Sequence, residues 1–264
     1  MTLLASLAAA FLLAVSPVSY VESQQAADGG FGDPQLTAWA TLGLVASGAA
    51  EPGQLRAAAD YLARHEDAAT STTDLALSAM ARSAVGDVPE TALARLRAHR
   101  PGRLVNATIW SILALRQAGE QAPAGLVRAL RGAQHRSGGW SWNAGGAPDT
   151  NDTAAALQAL RSVGVSGRAI DRGVAFLRRH QNSDGGFELT DGRGSDAQST
   201  AWAIQGLLVA GRTPGAAVYR YLERLRRSDG SYRYSARYVT TPLWVTAQVL
   251  PALARKPFPL RPSG

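Results

Sequence analysis

QAADGGF at 25–31, QHRSGGW at 134–140 and QNSDGGF at 181–187 are copies of one glutamine-to-aromatic signature. Their recurrence decides how the rest of the chain is read. A fourth copy, SDGSY at 228–232, is degenerate. After each copy comes a short polar stretch and then an apolar segment, as in LTAWATLGLVASG at 36–48 and STAWAIQGLLVAG at 199–211. The segments align on a threonine: Thr37, Thr108, Thr153 and Thr200 stand eleven residues before Gly48, Gly119, Gly164 and Gly211. A glycine in that place reads as a helix C-cap. Two weaker copies, Leu75 to Gly86 and Pro242 to Leu253, complete a set of six.

Between these segments lie amphipathic stretches, Gln54 to His65, Pro89 to His99, Gly125 to Gln134, Ala169 to His180 and Ala216 to Arg227, with apolar positions three or four apart and arginine elsewhere. They predict outer helices with one wet face. The threonine-led segments are apolar nearly all round and rich in Ala and Gly, as helices buried between an outer layer and a central axis are. A two-helix unit cannot bury both apolar faces alone, so neighbours stack, and six can close on themselves. The expected fold is all-α: an α/α toroid of six helical hairpins with inner and outer rings, and no strand pattern.

The 264 residues, 46% hydrophobic, suit one compact body. The formal charge of +7 comes almost wholly from arginines dispersed over many helices, so it predicts a solvated outer face, with weak contact to an anionic envelope surface as the alternative and no nucleic-acid partner. The chain has no cysteine, which excludes disulfides, thiolate zinc sites and cysteine nucleophiles. The uncharged run Leu3 to Val15 is too short to span a bilayer and has the length of a secretory apolar segment. The expected organisation is a signal peptide at 1–16, one toroid domain at 17–254 and a Pro-rich tail at 255–264. Secretion is expected; the rival is an apolar helix packed on a cytoplasmic domain.

At its QxxDGGF/W signature the chain resembles the terpene cyclase and protein prenyltransferase superfamily, with its prenyltransferase and squalene oxidase repeats, over nearly its whole length. That resemblance implies the toroid and says little about chemistry. Asp149-Thr150-Asn151-Asp152-Thr153-Ala154 also resembles the DxDDTA acid motif of class II terpene cyclases. In that family the central aspartate protonates an alkene or epoxide inside a dry, aromatic-lined cavity. Here the position is Asn151, and an amide has no acidic proton to give. The magnesium-binding DDxxD cluster is missing, and without cysteine neither the zinc set of protein prenyltransferases nor a thioester can be assembled. No cofactor and no metal are expected.

The repeat offers a second account of the same residues. Asp33, Asp149 and Asp196 stand four residues before their threonines, where they would cap the inner helices; Asp152 has no counterpart in the other units. Trp39, Trp110, Trp202 and Trp244 all follow their anchors by two residues, which points to shared packing. Trp140 and Trp142 lie in a glycine-rich turn, where they would line an opening. The sequence therefore supports two readings. One is a ligand-binding or scaffold toroid with Asp33, Asp149, Asn151, Asp152, Asp196, Trp140 and Trp142 around a mouth that takes a small apolar or sugar-like molecule. The other is a degenerate class II cyclase with Asp149 and Asp152 as its catalytic pair. The state of the central axis discriminates between them: a dry aromatic pocket ending at Asp149 favours the cyclase, a filled axis opposes it.

Overall fold

The computed structural model describes residues 15–260, and they form twelve α-helices in six outer-then-inner pairs. The inner helices are α2 (Pro34–Ser47), α4 (Thr72–Ala84), α6 (Val105–Gln117), α8 (Thr150–Ser162), α10 (Ala197–Val209) and α12 (Pro242–Leu253). The outer ones are α1 (Pro17–Glu22), α3 (Pro52–Arg64), α5 (Glu90–Arg97), α7 (Ala124–Gly132), α9 (Arg168–Arg179) and α11 (Ala216–Leu225). Each inner helix packs on the next, and α12 packs on α2, so the inner ring closes. The short α1 leans on both α12 and α2 and covers the seam. The expected toroid is thus present. The sixth outer helix is α1, which sequence reading missed because it follows directly on the apolar N-terminal run. Residues 1–14, which hold nearly all of the expected signal peptide, lie outside the described residues; Ser16 already caps α1 through a bond from Ser19 N.

The signature and the threonine recur together because they bond to each other. The aromatic's backbone N–H donates to the threonine hydroxyl at 2.9 Å in Phe31–Thr37, Trp140–Thr153, Phe187–Thr200 and Tyr232–Thr246. The last pair corrects the register of the sixth copy. Thr246, not Pro242, is its anchor, so Gln248 stands where three of the other units carry tryptophan and Trp244 comes two residues before the anchor. The signature glutamine clamps its own turn to the next outer helix: Gln134 Nε2 donates to Gly138 O and Ala169 O at 2.8 Å, and Gln25 does the same to Gly29 O and Gln54 O at 2.9 Å.

The first signature glycine lets that turn press against the neighbouring helix. Gly138 has φ +98, and a Cβ there would lie 2.4 Å from Arg172 O of α9. Left-handed strain and a backbone collision combine, so Gly138→Ala is expected to lose about 2–4 kcal/mol of stability, read as a lower denaturant midpoint at unchanged slope. The structure also holds two strands that the helical pattern gave no hint of, β1 (Phe187–Glu188) and β2 (Ser195–Asp196). They pair the signature aromatic and the residue after it with the next helix cap and the residue before it, as the single bridge Trp140–Asp149 does one unit earlier.

Candidate functional site

Because an outer helix precedes an inner one in every hairpin, all inner helices start at the same end of the ring. At that mouth, Asp149 caps α8 by accepting from Asp152 N at 2.8 Å. One turn in, the buried Asp152 accepts from Asn106 Nδ2 of α6 at 2.7 Å, and Asn106 Oδ1 accepts from Thr73 Oγ1 of α4 at 3.1 Å. Three successive inner helices are thereby tied by one polar chain. Asn151, between the two acids, is half-buried, and its Oδ1 has no hydrogen-bond partner among the described residues.

Burial and the neighbouring Asp152 charge push the Asp149 carboxyl up to about 8. Burial also raises Asp152, opposed by hydrogen bonds from Asp149 and Asn106. The two are coupled, and burial favours a shared proton between them over two charges. Keeping a proton is not the same as giving it away. A carboxyl pushed up to about 8 is a weaker acid than an ordinary one. Asp149 is poorly suited to replace the acid that Asn151 lacks.

Behind this layer the axis is full. Trp39, Trp110 and Trp202 come from α2, α6 and α10, alternate members of the six-helix ring, and such side chains meet only at its centre. Their ring centroids lie 5.3, 5.7 and 5.8 Å apart, edge to face at 83–85°. Trp244 adds at 6.1 Å from Trp39. From the other end Phe258 packs 6.4 Å from Trp39 and 6.1 Å from Trp202. These are contact distances between aromatic rings, so the tryptophans serve each other as packing.

The remaining candidate residues separate. Asp33 is exposed and caps α2 through Leu36 N at 2.7 Å; Asp196 is buried and caps α10 through Ser199 N at 2.7 Å. Their carboxylates serve their own helices, and no ring of acids assembles. Trp140 lines no opening: it is fully buried as the signature aromatic of its unit, with its indole N–H donating to Leu130 O at 2.7 Å. Trp142, two residues on, is 52% exposed at the mouth, beside Leu104 at 47%. Thr73, Gln158 and Gln205 carry no expected role, although a glutamine inside an apolar inner helix is itself a signal. Of the described histidines, His65 and His180 close outer helices, their Nδ1 atoms 2.8 Å from Tyr61 O and 3.0 Å from Phe176 O.

Residues 98–260, more than half of the chain, match the squalene-hopene cyclase C-terminal domain. The chain belongs to that family. No curated protein sequence matches this squalene-hopene cyclase family member. Among solved structures it is similar to the type II terpene cyclase MstE from Scytonema, at 17% identity and TM-score 0.70 over 90% of this chain and 95% of that one. It is also similar to the Candida albicans protein geranylgeranyltransferase-I bound to GGPP, at 10% identity and TM-score 0.66 over 86% and 84%. A protein from Actinoplanes matches with 17% identity and TM-score 0.67 over 90% and 96%. At these identities the likeness establishes the shared fold of the squalene-hopene cyclase family and leaves the chemistry to the residues.

Proposed function

We propose that this domain is an exported, non-cyclising member of its family that works as a ligand-binding or scaffold toroid. The filled axis carries this reading: rings from alternate helices touch one another where a polyprenyl substrate would have to fold. Asn151 at the acid position and the weak acidity of Asp149 agree with it. The relatives' prenyl ligands, geranylgeranyl dihydroxybenzoate in an MstE complex and GGPP in the transferase, make an apolar molecule the reference probe. With the axis closed, the available contact surface is the rim, where exposed Trp142 and Tyr238 offer aromatic faces to an apolar or sugar-like ligand.

One observation favours the cyclase reading, the pairing of Asp149 with the buried Asp152 in the segment that resembles the acid motif. A single assay separates the two. Purified protein incubated with squalene and with geranylgeranyl dihydroxybenzoate in micelles is expected to give no cyclised product by mass-detected chromatography. A cyclised product that Asp149→Asn abolishes would overturn the proposal.

A further inference from the structure

We propose that the inner end of the toroid axis is a binding site for an extended apolar peptide segment, with this chain's residues 256–260 as its tethered occupant. After α12 the chain re-enters the ring from the end opposite the mouth. Phe258 and Leu260 are 2% and 5% exposed, while Arg255 and Lys256 lie in solvent. Phe258 is the deep anchor: its partner Gln158 stands four residues before the end of α8, whereas Leu260 meets Gln117, the last residue of α6.

The polar contacts are those of a receptor with a peptide. Gln158 Oε1 accepts from Phe258 N at 2.7 Å. Gln117 reads Leu260 from both sides, its Oε1 accepting from Leu260 N at 2.6 Å and its Nε2 donating to Leu260 O at 2.8 Å. Side-chain amides thus satisfy the backbone of residues 258–260, which belongs to no helix or sheet. The prolines at 257 and 259 restrict the free segment and lower the entropy lost when it is held. A hydrocarbon chain would fill the aromatic part of the well and leave these amides without partners, at a penalty for each buried polar atom.

The site holds one more acceptor than its occupant uses. Gln205 stands on α10 where Gln158 stands on α8, five residues after the anchoring threonine, and each donates Nε2 to the carbonyl four residues back, at 3.4 Å. Gln205 is 1% exposed and its Oε1 has no partner among the described residues. An unsatisfied acceptor thus stands on α10 at the position that on α8 receives Phe258 N–H. This site lies at the end opposite the rim, so its test and the cyclisation assay fail independently.

The test uses the full chain carrying Phe258→Ala and Leu260→Ala, which weakens the tethered occupant, and a capped peptide Lys-Pro-Phe-Pro-Leu that copies residues 256–260. Titration followed by tryptophan fluorescence is expected to give a Kd on the order of 100 µM for the variant and at least about tenfold weaker binding for the native chain. Adding Gln117→Ala to the variant should weaken binding a further tenfold or so, through the lost hydrogen bonds. Three outcomes would overturn the proposal. Loss of cooperative unfolding in the variant makes the tail core rather than occupant. A folded variant that binds no peptide removes the site. Binding of geranylgeraniol as tight as that of the peptide shows that the well selects apolar length and not amides.

Discussion

Trp39→Ala is expected to lower the unfolding free energy by about 3–5 kcal/mol, a fall in melting temperature of roughly 10 °C for a chain of this size. Trp39 is the hub of the axis. It touches Trp110, Trp202, Trp244 and Phe258, and it is 6% exposed. Its removal leaves a void that three rigid indoles on different helices cannot close without moving the helices themselves. Trp244→Ala should cost clearly less, because that ring is only partly buried and its one aromatic contact among the described residues is with Trp39. Thermal unfolding of the two variants side by side makes the comparison. Equal losses would mean that the axis does not centre on Trp39.

Stability should also fall as the solution turns alkaline. Asp149 titrates at about 8 in the folded chain against an ordinary 3.8, and burial raises Asp152 and Asp196 in the same direction. A carboxyl raised on folding favours the protonated native state, so its contribution is complete below about pH 4 and is lost as pH climbs through 8. His99, whose imidazole burial pushes downward, opposes this slope only below its ordinary 6.5. Between pH 6.5 and 8.5 ionisation of Asp149 alone should remove about 2 kcal/mol. Asp149→Asn retains a capping side chain and should flatten that profile. A denaturation midpoint that is constant or rises over this window would show that the pair does not share a proton in the folded chain.

The fold was legible because its signal is local and repeated. Helix periodicity placed five of the six outer helices within two residues of where they lie, and counting back from the threonines found the caps Asp33, Asp149 and Asp196. Failures came where the deciding contact is distant in sequence. The sixth copy aligns on Pro242 by the eleven-residue spacing to Leu253, whereas its register is set by the Tyr232–Thr246 bond across 14 residues. Asp152 was recognised as having no counterpart, but nothing local reveals that Asn106, 46 residues earlier, holds it. Trp140 was placed at an opening although it is its unit's signature aromatic, and Phe31 and Phe187 in the same place are just as buried. The insertion of the tail has no local signature at all, since a Pro-rich end reads the same whether it hangs free or turns inward.

The contact of α12 with α2 has a consequence for how the molecule comes apart. An open stack of hairpins has end units that fray first and can be shortened piece by piece. Here the backbone of Ala247 lies against Gly43, about 200 residues away, and the turn at Gly230 rests on Ser16. Those junctions form only after nearly the whole chain has been gathered, so the loop-closure entropy is concentrated in one late event and assembly is slow relative to that of a linear array. Loss of the first or last hairpin opens a hoop and exposes two apolar flanks at once, where trimming a rod would leave a single new end.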